Sequence, residues 1–197
     1  MKRTFDICMA ALGLALMAPL LVIISVLIKL DSQGPVIFRQ IRVGQGFRPF
    51  AIQKFRTMVV DAPGTGLPLT VGQDSRITRI GRILRKCKLD ELPQLWNVLV
   101  GDMSFVGPRP EVPRYVERLR SEFSEVLTVR PGITDLASLR YIDEASILAY
   151  SSNPEEEYQL KVLPEKIRLA KFYIRHMSLQ LDVAIVMQTL LHIARIP

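Results

Sequence analysis

Asp90 and Glu91 stand side by side within the run Lys88–Pro110, KLDELPQLWNVLVGDMSFVGPRP. Arg76, Arg79, Arg82 and Arg85 precede them, and a second cationic element, Gly107-Pro108-Arg109-Pro110, follows. Carboxylates beside cations and a helix start are the parts needed to hold a divalent metal and a diphosphate. A blander reading makes Asp90 the N-cap of a short apolar-periodic helix, with Pro93 tolerated in its first turn and Glu91 favouring the positive helix end. The two roles are compatible, because a helix N-terminus also stabilises phosphate.

The pair needs elements to position it. Ser75 to Lys88 predicts a basic helix whose arginines recur every third residue. Each step drifts by about 60° from a single stripe, so two or three neighbours can meet one phosphate. Leu92, Leu95, Trp96, Val98 and Leu99 predict a short helix with an apolar face; Trp96 is expected in the core, with the membrane interface as the alternative. Val36–Gln40 and Phe47–Phe55 predict two strands split by a turn at Val43-Gly44-Gln45-Gly46. Ala62–Gly72, rich in Gly, Pro and Thr, predicts a loop beside the site, a candidate lid without the Gly-Lys-Ser/Thr of a P-loop. Glu111–Glu125 predicts a charged amphipathic helix and Val129–Thr134 a turn. Pro154–His176 predicts a long polar helix bent at Pro164. The apolar Ser178–Ile196 either lies in a membrane interface or packs on the core.

Ile7 to Ile28 carries no charge. Its 22 residues span about 33 Å as a straight helix, enough to cross a hydrocarbon core. Pro19 lacks an N–H and crowds the Ala15 carbonyl, so a kink or break is expected there. A cleaved signal peptide is not expected, because the stretch exceeds a usual apolar core and no A-x-A site follows. Lys2 and Arg3 precede the segment, and Lys29, Arg39 and Arg42 follow it. A spanning helix would export one basic flank, whereas a re-entrant hairpin keeps both on one side.

Composition narrows the rest. The chain has 197 residues, which suits one domain of ordinary size, and its hydrophobic fraction of 49% suits one embedded segment plus one water-facing domain. The formal charge is +7, yet Lys29 to Lys88 alone carries +9 and the remainder −2. That half fits anionic headgroups, phosphorylated substrates, or both. It would also fit a membrane-attached nucleic-acid-binding module. Few aromatics for base stacking and no reader motif count against that, so no nucleic-acid partner is expected. Two cysteines exclude a disulfide framework, and Cys87 has no nearby base to make it a nucleophile. His176 and His192 form no zinc spacing.

The motifs, taken in order, resemble those of the bacterial sugar transferases, specifically the small monotopic phosphoglycosyl transferases. The resemblance rests on Lys2-Arg3-Thr4-Phe5-Asp6, the proline-interrupted apolar helix, Gly34-Pro35-Val36 and Lys54-Phe55-Arg56-Thr57-Met58. It continues through Leu89-Asp90-Glu91-Leu92-Pro93-Gln94, the Gly101–Pro110 run and Arg130-Pro131-Gly132-Ile133-Thr134. It runs almost end to end. The resemblance implies an α+β, mostly helical fold. A re-entrant membrane helix would occupy residues 1–30, broken at Pro19. A cytoplasmic, membrane-associated catalytic domain would occupy residues 31–197, with a small β-hairpin and interfacial amphipathic helices.

The resemblance also implies a Mg2+-dependent reaction on the cytoplasmic face of a bacterial inner membrane. A phosphosugar moves from a UDP-sugar to a polyprenol phosphate, undecaprenyl by default, giving a polyprenol diphosphate sugar and UMP and starting surface-glycan assembly. Asp90 is then the nucleophile, forming an aspartyl phosphosugar, and Glu91 holds metal or assists a proton transfer; both are candidate metal ligands. Lys54, Arg85 and Arg109 are the candidate phosphate contacts, the arginines by bidentate pairing. Arg130 and Thr134 are nucleotide-site candidates, and Arg56 could equally meet headgroups. Two departures stand out. Ala18-Pro19 replaces the frequent Ser-Pro, and Asp135-Leu136-Ala137-Ser138 replaces the frequent Gly-Trp-Ala-Gln. The second leaves the sugar open, and a homodimer also stays open.

Overall fold

The computed structural model describes residues 2–60, 74–141 and 144–194. The expected lid over Ala62–Gly72 lies outside them. The fold is α+β and mostly helical, with one long apolar helix at the start and two small sheets. Helix α1 runs Lys2–Asp31 and is long and apolar enough to cross a membrane by length and composition. The helix is not interrupted at Pro19, so of the expected kink or break the break is not found. A proline removes one donor, and the turns on either side carry the helix past that single lost bond.

Both ends of α1 are tied to one body. At its start Arg3 donates to the carbonyls of Val98 (2.6 Å) and Leu99 (3.0 Å). Asp6 accepts from the Ser104 hydroxyl (2.9 Å) and the Phe105 N–H (3.3 Å). At its end Asp31 accepts from the Ile80 N–H (3.0 Å). Arg56 is 5% exposed and holds the segment just past the helix, donating to the carbonyls of Ser32 (2.7 Å) and Gln33 (2.6 Å). That burial takes Arg56 away from headgroups and makes it a helix-end clamp.

Strands β1 (Ile37–Val43) and β2 (Pro49–Phe55) form an antiparallel hairpin with Lys54 opposite Phe38. Gly46 and Phe47 take positive φ at its tip. The basic helix is shorter than expected. Helix α2 covers Arg79–Lys86, since the Thr78 side chain caps it and Asp74 instead pairs with Arg76. A single 3₁₀ turn, Leu89–Glu91, leads into α3 (Gln94–Val100). Trp96 is 49% exposed, which overturns its expected core position; Gln94, Leu95, Asn97 and Val98 take the inner face.

The predicted turn at Val129–Thr134 conceals a strand. Strand β3 (Ser104–Val106) pairs in parallel with β4 (Gly132–Thr134). The predicted helix Glu111–Glu125 is two, α4 (Pro113–Arg118) and α5 (Arg120–Val126), divided at Leu119. Short helices α6 (Leu136–Arg140), α7 (Glu144–Ala149) and α8 (Pro154–Glu157) follow. A π turn, Tyr158–Val162, joins α8 to α9 (Leu163–Arg175). The wide turn absorbs the missing donor of Pro164. Helix α10 (Leu179–Ala194) buries Ile185 and exposes Leu179, Val183, Met187, Leu190 and Leu191.

Four apolar clusters tie these elements together. Two of them matter for the site. Ile24, Ile28, Phe55 and Leu84 join α1, β2 and α2, with Leu89 and Leu92 packed against them. Ala10, Ile52, Val98 and Met103 join α1, β2 and α3.

Candidate active site

The chain reverses between α2 and α3, and the site is built at that reversal. Lys88 adopts the left-handed conformation, φ 57°, which is uncommon outside glycine. Leu89 and Leu92 then turn into the apolar cluster, and Glu91 meets the cations. Lys88 and Pro93, not Asp90, occupy the N-cap positions of the 3₁₀ turn and of α3, so the blander N-cap reading finds no support.

Two elements deliver cations to Glu91. Lys54, near the end of β2, donates to Glu91 Oε1 at 2.7 Å. Asn97 holds β2 in place from α3. Its Oδ1 accepts from the Gln53 N–H (3.0 Å), and its Nδ2 donates to the Ala51 carbonyl (2.9 Å), so it completes the free edge of the strand. Arg109 follows β3 and grips both oxygens of Glu91, Nη1 at 3.3 Å from Oε2 and Nη2 in a shorter contact with Oε1. This is the fork geometry that suits Arg rather than Lys.

The Arg109 loop is itself held. A Cβ on Gly107 would lie 2.4 Å from the Arg130 carbonyl, and one on Gly132 would lie 2.1 Å from the Gly107 nitrogen. Only two glycines let the β3 and β4 backbones meet this closely. Asp135 then accepts from the Arg109 N–H (3.1 Å) with one oxygen and caps α6 through the Ser138 N–H (2.7 Å) with the other.

The two acids are shifted in opposite directions. Burial alone would raise the Glu91 carboxyl, but Arg109 and Lys54 together override it and hold it well below the usual carboxylate range. Asp90 goes the other way. Burial first and the Glu91 charge second push it up, against the pull of Lys54, Arg85 and Lys88. No described side chain makes a hydrogen bond or ion pair with the Asp90 carboxylate, which belongs to a residue only 8% exposed. Two adjacent carboxyls with opposite shifts are a common arrangement for dividing chemical roles.

A cavity of about 840 Å³ adjoins the pair. Arg85, Lys88, Glu91 and Arg109 stand on its wall, and Thr134 does too, with its hydroxyl bonded to Thr189. Asp90 is not on that wall; it lies beside Glu91 with little exposure. Arg130 is not brought to the cavity, since its Nε donates to the Gly101 carbonyl (2.9 Å). Lys54 reaches the site through Glu91.

Among the described residues no three His, Cys, Asp or Glu side chains cluster as a metal cage. Both Glu91 oxygens face Lys54 and Arg109, whereas Asp90 remains unengaged. One free carboxylate fits a Mg2+ that draws its other oxygens from water and substrate phosphates, the usual habit of that ion. Sequence reasoning passed over Asn97 and Asp135. Their signals were slight: a lone amide inside an apolar helical run, and an acid three residues before a serine.

The chain matches known proteins along most of its length. A UDP-N-acetylgalactosamine-undecaprenyl-phosphate N-acetylgalactosaminephosphotransferase of Aeromonas hydrophila is 40% identical over 192 residues, 96% of this chain and 42% of that protein. A UDP-glucose:undecaprenyl-phosphate glucose-1-phosphate transferase of Caulobacter vibrioides is 40% identical over 191 residues, 95% of this chain and 67% of that protein. A putative undecaprenyl-phosphate N-acetylgalactosaminyl 1-phosphate transferase of Bacillus subtilis is 48% identical over 133 residues, 68% of this chain and 70% of that protein. The chain thus spans less than half the length of the Aeromonas relative. The family model for bacterial sugar transferases matches residues 1–195, and the chain belongs to that family.

Proposed function

We propose that this protein transfers a phosphosugar from a UDP-sugar to undecaprenyl phosphate, yielding undecaprenyl diphosphate sugar and UMP. The observation that carries this reading is the unengaged Asp90 carboxylate beside a Glu91 locked between Lys54 and Arg109. The names of the Aeromonas and Caulobacter relatives support the reaction type.

An Asp90 oxygen attacks the β-phosphorus of the donor. The bond from that phosphorus to the bridging oxygen breaks, and UMP departs with the electron pair. The aspartyl phosphosugar is an acyl phosphate. A phosphate oxygen of the undecaprenyl acceptor then attacks the same phosphorus and releases the Asp90 carboxylate. Dividing one displacement into two gives ping-pong kinetics. Arg85, Lys88 and Arg109 supply positive charge for the diphosphate. Glu91 keeps Lys54 and Arg109 aimed at the site as a fixed counter-charge. Mg2+, when bound, would be held by Asp90 and would neutralise the diphosphate so that UMP leaves more readily.

The protein works at a membrane from one side. A 30-residue helix is about 45 Å long, and both its ends are tied to the same body, through Arg3 and Asp6 at one end and Arg56 and Asp31 at the other. That favours a monotopic placement with both ends of α1 on one side of the membrane, and the basic residues on both flanks, Lys2, Arg3, Lys29, Arg39 and Arg42, favour the cytoplasmic side. Leu12, Leu16, Val22, Ile23 and Leu30 are more than half exposed along it, with only lipid to cover them.

A donor labelled in the β-phosphate tests the chemistry. Without acceptor, wild type should take up label that acceptor then discharges with UMP release, and Asp90→Asn should take up none. Label on Asp90→Asn refutes the assignment. Cysteines placed at Thr4 and Ser32 should react with an impermeant reagent from the same side of the membrane; reaction from opposite sides refutes the monotopic placement.

A further inference from the structure

The same cavity has a second wall with a different chemistry. Tyr158 donates to Glu111 Oε1 at 2.5 Å within the buried interior. Lys166 stands 3.4 Å from the Tyr158 hydroxyl and pairs with Glu144 at 2.5 Å. Arg42 donates to the Pro110 carbonyl (3.1 Å) and lies 3.8 Å from Glu111 Oε2. Arg42, Glu111, Glu144, Tyr158 and Lys166 all line the cavity. Two cations balance two carboxylates here, so this wall carries no excess charge for a phosphate. Burial and then Glu111 raise the Tyr158 hydroxyl well above its ordinary range, so it stays a donor.

The wall also has spare hydrogen-bonding capacity. At 3.8 Å the Arg42 contact is too long for a hydrogen bond, which leaves Glu111 Oε2 an open acceptor. Lys166 has three N–H donors and meets two partners. The Ser138 hydroxyl, also on the wall, is buried and has no partner. An acceptor, an ammonium donor and a free hydroxyl on a neutral wall suit a polyhydroxylated ring. The Tyr158 ring is already engaged, because Tyr115 packs on it with centroids 5.2 Å apart and Lys166 sits 4.8 Å over it. A pyrimidine therefore finds no slot between them, and stacking is what a base would ask for. Chain adjacency points the same way. Glu111 lies two residues beyond Arg109, and the sugar lies one bridging oxygen beyond the β-phosphorus.

We propose that Glu111, Lys166 and Ser138 form the subsite for the donor's sugar and determine which sugar is accepted. This rests on the reaction proposed above, so its test includes a readout that needs no turnover. The full chain in detergent is assayed for UMP release with undecaprenyl phosphate and UDP-glucose, UDP-galactose, UDP-N-acetylglucosamine or UDP-N-acetylgalactosamine. Lys166→Met keeps the packing stem, and Ser138→Ala removes a hydroxyl that bonds to nothing, so both should fold. At least one should change the ratio of kcat/KM between two donors tenfold or more, with inhibition by UMP held within twofold. An equal loss for all four donors, no change for any, or a tenfold weaker UMP inhibition overturns the proposal, the last by assigning the wall to the nucleoside. Saturation-transfer NMR with UDP-glucose alone reads the subsite directly. Lys166→Met should weaken transfer to the glucose protons and spare the uracil protons, whether or not wild type releases UMP. Transfer lost from uracil instead, or unchanged throughout, overturns the assignment.

Discussion

Two glutamates line one cavity in contrasting settings. Glu91 is gripped by Lys54 and Arg109 next to an acid with no hydrogen-bond or ion-pair partner among the described residues. Glu111 is bonded by Tyr158 and approached by Arg42, in a network whose charges cancel. The first end combines surplus positive charge with one reactive carboxylate, as phosphoryl chemistry requires. The second is neutral and rich in donors and acceptors, as recognition of an uncharged ring requires. On the proposed roles, a buried carboxylate's neighbours, not its type, decide whether it organises chemistry or recognition.

The sharpest way to break that contrast is Asp90→Asn. Turnover should fall at least a thousandfold, measured as UMP release, while calorimetry should show stability at neutral pH unchanged or improved. The sign follows from the raised Asp90 carboxyl. A folded value above the unfolded one means that the charged form disfavours folding above that range, so losing the charge relieves a penalty. A large loss of stability would show that Asp90 is structural.

Glu91→Gln should be next in effect, and it acts on both readouts. It leaves Lys54 and Arg109 facing each other without a counter-charge. Breaking a buried pair costs about 3–5 kcal/mol, and the partial exposure of this one lowers the expectation to about 2–3 kcal/mol. Turnover should fall at least tenfold. Near-normal rates would remove Glu91 from the site.

The pH dependence separates the two acids without mutation. Glu91 is held well below its unfolded range, so its contribution to stability is full above that range and is lost as pH falls through the lowered value. Thermal denaturation should show this acid loss in wild type and not in Glu91→Gln. Asp90 is shifted upward, so the label-uptake rate should rise with pH through a value above the ordinary aspartate range. A rate that levels off at or below that range contradicts the assignment.

The two ends differed equally in how legible they were. Asp90, Glu91 and Arg109 fall within twenty residues of one another, and Lys54 sits in its own recognisable motif. That end was readable because its parts are close in sequence and of matching type. The neutral wall draws on residues 42, 111, 138, 144, 158 and 166, which only the packed hairpin and helices bring together. No local pattern marks such a set. The β3–β4 pairing was missed for a related reason: three-residue strands carry no periodicity, and Pro131-Gly132 reads as a turn. Trp96 was misplaced because a helix of seven residues shows its apolar face only once it is known that α1 covers the other side.

Asn97 sharpens the comparison at a smaller scale. It serves the catalytic end alone, by holding the β2 edge that carries Lys54. Asn97→Ala leaves the Gln53 N–H and the Ala51 carbonyl without those partners, a loss on the order of 1–3 kcal/mol. The Glu91 clamp should loosen, so kcat should fall several-fold while donor ranking stays fixed. A change in donor ranking instead would mean that the two ends are mechanically coupled.

The smallest effect belongs to Trp96, and it tests what lies outside the cavity. Half-exposed on α3, the indole touches neither end of the site, and α3 is the helix that grips the start of α1 through the Val98 and Leu99 carbonyls. Indoles favour the headgroup level of a bilayer. Trp96→Ala should therefore leave the melting temperature in detergent within a degree or two, since little buried area is lost. Binding to vesicles of anionic lipid, read by co-sedimentation, should weaken several-fold, and turnover with a short water-soluble polyprenol phosphate should stay unchanged. A large drop in melting temperature would place the indole in a contact within the protein. Unaltered vesicle binding would leave α1 and α10 as the whole of the lipid-facing surface, and the exposure of Trp96 would then need a protein partner to explain it.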